Sequence, residues 1–238
     1  PMEELRPRQP LVTPRATIYT PSDRTRKATQ PVRAILSGNF AASIGAMIGA
    51  MKAMNSTIGR LEGARVRLRL VDPSDAPFIH GLRVDPALNT HLSPVDGSVA
   101  GQRAWIERYK AREAAGTEYY YLIERADGVP CGTVRLYNIG EQRFPWGSWI
   151  LNEDKPPKAA IESALLSFGV GFETLGLDIA DVDVRIANER AIAFYRRLGM
   201  TEVRRDEKEL FFTFSAAQFA DAMTAFDTLE TTGTEEKR

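Results

Sequence analysis

Cysteine is almost missing from this chain. Cys131 is the single one in 238 residues, which excludes an internal disulfide and any cysteine-rich zinc site. Histidine is nearly as scarce, with only His80 and His91, so little is left for a histidine-based metal centre, and no metal is expected. Neither sign of charge is in excess: 31 basic side chains face 31 acidic ones, which argues against a strongly cationic nucleic-acid binder. Glycine (18) and proline (14) are too few for a collagen-like or wholly disordered chain. What remains, 43% hydrophobic and 26% charged residues, is the composition of an ordinary soluble protein in a reducing, cytoplasmic setting.

Long apolar runs are also lacking. The uncharged stretch from Ala34 to Met51 approaches bilayer-spanning length, but Ser37, Asn39, Ser43 and three glycines interrupt it, so no integral membrane span is expected. Residues 1–34 hold six prolines and seven Lys/Arg against three Asp/Glu, without periodicity, and read as a flexible basic arm. Within 35–60 the residues Phe40, Ile44, Met47, Ile48, Met51 and Ile58 recur at helical spacing, giving an amphipathic helix. Gly45 and Gly49 on its small-residue face allow close helix contact, so residues 35–59 offer a surface for self-association or partner docking.

From Leu61 the pattern becomes regular. Val66 to Val71 alternates basic and apolar residues as an exposed edge strand does, and Asp72 to Asp75 is a turn that caps a helix from Ala76. A second helix runs from about Ser98 to Ala114. Strands follow over 118–124, 131–139 and 146–151, the first two joined through Asp127-Gly128. A helix over 159–175, a strand over 180–187, a helix over 189–198 ending at Gly199, and a hairpin of 201–205 with 209–214 complete the order β-α-α-β-β-β-α-β-α-β-β. Ser215 and Gln218 form a capping box that opens a C-terminal helix within 216–238. The expectation is a mixed α/β domain over 61–215 on a mostly antiparallel sheet of six to seven strands, flanked by helices.

That order, with Asn188, Ala191, Phe194-Tyr195 and Leu198-Gly199-Met200, resembles the GNAT superfamily of acyl-CoA-dependent N-acyltransferases. The opening segment, with Arg67-Leu68-Arg69, Asp85-Pro86 and Trp105-Ile106, is similar to the branch holding ribosomal-protein-alanine and bacterial amino-sugar acetyltransferases. The resemblance implies acetyl-CoA as co-substrate, its pyrophosphate held at a helix N-terminus. Lys155, Lys158, Ala159 and Ala160 occupy that loop, although Lys158 stands where the family has glycine and Pro156 and Pro157 remove donors. It further implies Tyr195 as the acid for the leaving thiolate, backbone N–H groups around Ile150, Leu151 and Asn152 polarising the thioester, and Asn188 at the pantetheine arm.

The resemblance implies a small-molecule amine as acceptor. His91, Tyr120, Trp146 and Trp149 are its candidate contacts, aromatic side chains of the kind that stack a sugar or a base. For a general base the choice stays open among Glu153, Asp181, Asp183, His91 and a water relay, while His80 reads as packing or solvent-facing. The reading is an N-acetyltransferase acting by direct attack in a ternary complex, on a nucleotide-linked amino sugar. Its alternatives are acetylation of a protein N-terminus or lysine, and a non-catalytic GNAT scaffold that binds a partner.

Overall fold

The computed structural model describes residues 58–91 and 97–235, with side chains of the last helix described to Phe226. The basic arm and nearly all of the amphipathic segment lie outside these residues. Ile58 and Gly59 are helical, and Ile58 is buried in the main core, its carbonyl accepting the Tyr121 hydroxyl at 3.0 Å.

A short strand follows where none is expected. β1 (Arg60–Glu62) pairs antiparallel with β2 (Val66–Leu70), so β2 is interior to the sheet rather than its edge. The alternating arginines of β2 have a different cause from solvent exposure. Arg67 and Arg69 both reach Glu124 on the neighbouring strand, at 2.7 and 2.8 Å, and Arg69 also grips both oxygens of Asp75.

Local signals then set most boundaries. Asp72 and Asp75 form a reciprocal capping box ahead of α1 (Ala76–Val84), Asp85 caps the single turn α2 (Pro86–Asn89), and Ser98 caps α3 (Val99–Ala114). β3 (Tyr119–Arg125), β4 (Pro130–Leu136) and β5 (Arg143–Leu151) form the antiparallel meander. α4 (Ala159–Gly169) widens into a π-helical turn at Val170–Thr174, where Gly171 lies so close to the Phe144 ring that a Cβ would overlap it. After β6 (Ile179–Arg185) and α5 (Glu189–Arg197), β7 (Thr201–Arg205) and β8 (Glu209–Ser215) form the final hairpin. Ser215 and Gln218 cap α6 (Ala216–Glu235) reciprocally, at 2.8 and 3.2 Å.

Among the described residues eight strands make one sheet in the order β1-β2-β3-β4-β5-β6-β8-β7, one strand more than the expected upper count. Of these described strands only β5 and β6 pair parallel. The main core fills one face, beneath α4, α5 and α6, and includes Trp146, Phe168, Phe212, Phe214 and Phe219. A smaller cluster on the other face packs Val71, Ile79, Ile106, Tyr109, Tyr120 and Leu122 beneath α1 and α3. β3 is buried on both faces, which explains the run Tyr119-Tyr120-Tyr121: its odd members enter the main core and Tyr120 the smaller one.

Candidate active site

The parallel pairing of β5 and β6 is short. It covers Arg143 with Ile179, Phe144 with Ala180 and Pro145 with Asp181, and no register pair continues it along the rest of either strand. Beyond Pro145, β5 also carries a bulge: Arg135 pairs with Gly147 but Thr133 with Ile150, and Ser148 takes a left-handed φ of 49°. The two strands therefore part, leaving a gap flanked by the far half of β5.

The orientation of β5 along this gap is fixed by one hydrogen bond. The Asn152 N–H donates to the Cys131 carbonyl at 2.9 Å, so by the alternation of a strand Ile150 faces β4 with it and Leu151 turns its N–H to the open side. Of the three expected polarising amides, Asn152 is thus committed to the sheet and Leu151 is the one aimed at the gap. Cys131 itself is buried, and desolvation pushes its thiol up to about 11, as befits a core residue.

Tyr195 approaches the gap from α5. Its ring lies edge-on to Trp146 at 6.2 Å and to Phe212 at 5.8 Å, and no group among the described residues hydrogen-bonds its hydroxyl. Burial holds this phenol well above its ordinary range, with the charge of Asp183 and the neighbouring Tyr137 adding to the shift. It is protonated at neutral pH. Asn188 caps α5, accepting the Ala191 N–H at 3.1 Å.

The N-terminus of α4 opens on a cavity of about 390 Å³ lined by Lys158, Ala160, Ile161, Phe194, Arg197, Leu198 and, from α6, Phe226. Ala159 donates to Pro156, but the N–H groups of Ala160 and Ile161 receive no partner from the described residues. Lys158, the N-cap, adopts φ 66°, the left-handed conformation that favours the glycine the family carries there. Lys155 does not serve this mouth as expected: its ammonium turns back to donate to the Asn152 carbonyl at 3.1 Å. Arg197, which sequence reading missed, lines the cavity one helical turn beyond Phe194. Its signal was that spacing, which puts both side chains on one face of α5.

The expected acceptor contacts scatter. Trp146 is fully buried, stacked on Phe168 at 4.5 Å with its indole N–H donating to Ser167, and cannot present its ring to an acceptor. Tyr120 is likewise core, edge-on to Trp105 and Tyr109. Trp149 lies on the α4–α5 side, tilted against Phe194 with ring centroids 4.9 Å apart and donating to Ser163. His91 is half-buried at the end of the described stretch before residue 97. His80 bonds the Gly97 carbonyl at 2.9 Å, a structural contact.

A second cavity, also about 390 Å³, lies on the sheet face opposite the main core and is lined by Tyr137, Arg143, Pro145, Asp181, Asp183 and Phe211 among others. Of the base candidates, Asp181 is bonded by Arg143 through both carboxylate oxygens, and Glu153 is exposed in the turn before Lys155. Among the described residues no group of three or more metal-binding side chains converges, and no helix is long and apolar enough to cross a membrane.

A sheet split between parallel strands, with a helix N-terminus at one mouth and a protonated phenol beside the gap, is an arrangement suited to acyl transfer from a phosphate-bearing coenzyme. The comparisons with known proteins agree. The family described as Acetyltransferase (GNAT) domain matches residues 65–201. Among solved structures, apo FdhC, a nucleotide-linked sugar GNAT, is 38% identical over 71% of this chain and 96% of its own, with a TM-score of 0.66. Two more distant structures share the fold: a SpeG spermidine N-acetyltransferase mutant from Vibrio cholerae (18% identity, 66% and 98% coverage, TM-score 0.56) and ribosomal-protein-S5-alanine acetyltransferase from Vibrio fischeri (15%, 66% and 96%, 0.59). No curated protein matches the chain. The chain belongs to the GNAT acetyltransferase family and is an acyl-CoA-dependent N-acetyltransferase.

Proposed function

We propose that this enzyme transfers the acetyl group of acetyl-CoA to the amine of a nucleotide-linked amino sugar, by direct attack in a ternary complex. The coenzyme side rests on the mouth of α4. Two open N–H groups at a helix N-terminus, with Lys158 and Arg197 on the cavity wall, fit a pyrophosphate and a further phosphate by hydrogen bonding, charge and helix dipole. Lys158 supplies side-chain charge where a glycine would have supplied only backbone.

In the gap, the Leu151 N–H polarises the thioester carbonyl and meets the oxyanion as the tetrahedral intermediate forms. Tyr195 gives its proton to the departing thiolate, and its burial keeps that proton in place until the C–S bond breaks. Asn188 holds the start of α5, and thereby Tyr195, in register with β5.

The observation that carries the acceptor class is the 38% identity to a nucleotide-linked sugar GNAT across nearly the whole of that protein. Calorimetric titration with acetyl-CoA, followed by a thiol-release assay against nucleoside-diphosphate amino sugars, polyamines and N-terminal peptides, tests both halves. Micromolar coenzyme binding with turnover of amino-sugar nucleotides is the expected result. Turnover of peptides or polyamines alone would replace the acceptor, and absence of acetyl-CoA binding would leave the fold as a scaffold for partner binding.

A further inference from the structure

The two cavities lie at the two faces of the sheet, and the coenzyme fits the first. We propose that the acceptor amine enters through the second, and that Asp183 binds it as an ammonium and takes its proton; this rests on the acetyl-transfer reading of the gap.

Ala180, Val182 and Val184 point into the main core, so Asp181, Asp183 and Arg185 present themselves on the opposite face. Asp181 is the last residue of β6 paired with β5, and Asp183 stands one step further along the same face, where the strands have parted.

Asp181 is neutralised by Arg143, and Arg185 pairs with Glu209 at 3.3 Å. Asp183 makes no ion pair with any described residue, so its carboxylate is the one in that row left to receive a cation from outside.

Asp183 pairs across the sheet with Phe211, and Tyr137, Val203, Phe212, Thr213 and Arg204 also line the cavity, the Arg204 guanidinium lying over the Phe211 ring and pairing with Asp206 at 3.4 Å rather than with Asp183. Tyr137 covers Gly147, where a Cβ would lie 3.5 Å from its ring, and so stands beside the open half of β5. The aromatic side chains of that wall, Tyr137 and Phe211, suit a sugar ring or a base. The Asp183 charge also helps to raise the hydroxyls of both Tyr137, on this face, and Tyr195, in the gap, so the carboxylate lies within electrostatic reach of the reacting centre.

The protons balance. The ammonium gives one proton to Asp183, and the freed lone pair attacks the thioester carbon, forming the C–N bond. The oxyanion collapses and breaks the C–S bond, the thiolate takes the Tyr195 proton, and the nitrogen returns its second proton to the phenolate. Asp183 then releases its proton to water, leaving an amide, free thiol and one proton.

The test uses the full chain, acetyl-CoA and thiol release, with nucleoside-diphosphate amino sugars and, at tens of millimolar, free glucosamine as amine probes. Asp183→Asn should lower kcat by about 100-fold, the lower end for a proton-transferring group, and raise the acceptor KM, with the calorimetric acetyl-CoA affinity and melting temperature unchanged. Asp183→Glu should recover part of the loss, which a packing role would not predict. Wild-type kcat and KM in Asp183→Asn would overturn the proposal, as would acetyl-CoA binding with no thiol release from any amine. Failure of the wild type to bind acetyl-CoA would instead remove the reading beneath it.

Discussion

The Asn152 N–H is bound to the Cys131 carbonyl at 2.9 Å, and this single contact leaves Leu151 as the residue of β5 whose amide faces the gap. A backbone donor can be deleted by proline, which is tolerated where the N–H is not part of a ladder. Leu151→Pro is therefore expected to stay folded and bind acetyl-CoA while turnover falls by about 10²–10³, the usual loss of one oxyanion donor. Ile150→Pro, one residue earlier, removes a ladder bond to β4 and should lower the melting temperature. Circular dichroism melts beside thiol-release rates distinguish the two, and equal activity losses with equal unfolding would reject the assignment of Leu151.

Tyr195→Phe keeps the ring that Trp146 and Phe212 pack against and removes only the hydroxyl. Since that hydroxyl has no hydrogen-bond partner among the described residues, stability should change little. Turnover should fall by about 10²-fold with coenzyme affinity intact. A kcat within twofold of wild type would take Tyr195 out of the mechanism.

Sequence legibility followed the range of the physical signal. Asn188, Gly199, the Asp72–Asp75 box and the Ser215–Gln218 box act within a few residues of themselves, and each stands where its local chemistry put it. β1 escaped because three residues carry no periodicity. The tryptophans of β5 escaped for a different reason. Spaced three apart, Trp146 and Trp149 belong on opposite faces of a regular strand, yet their rings are 5.4 Å apart, because the bulge at Ser148 resets the alternation. The same bulge puts Trp149 against Phe194, on the side of α4 and α5. Arg197 and the α6 wall come together only through tertiary packing, and the open state of Asp183 depends on Arg143 and Glu209 occupying its neighbours.

Lys158 sets a stability cost against function. A non-glycine residue at φ 66° costs about 1 kcal/mol, and glycine would relieve it. Lys158→Gly should raise the melting temperature slightly. It should also weaken acetyl-CoA binding by about tenfold, the equivalent of one charge-assisted hydrogen bond. Differential scanning fluorimetry with and without acetyl-CoA reads both effects at once: the apo melt rises while the ligand-induced shift shrinks. A shift equal to wild type would show that the helix N-terminus alone holds the coenzyme.

Alkaline pH should destabilise the domain in two stages. Desolvation raises Cys131 from an ordinary 9 to about 11 and lifts Tyr120, Tyr121 and Tyr195 above their ordinary value near 10. Each of these groups ionises more readily in the unfolded chain, so the folded state binds more protons there and loses stability as pH rises. The Cys131 contribution is fully present below pH 9 and is lost as pH climbs through about 11, with the tyrosines joining above pH 10. Urea unfolding from pH 7 to 11 should thus give a flat free energy to about pH 9 and a decline that steepens past 10. Cys131→Ala should remove the first part of the decline and leave the second. A decline beginning below pH 8, or one unchanged in that variant, would mean that other groups govern it.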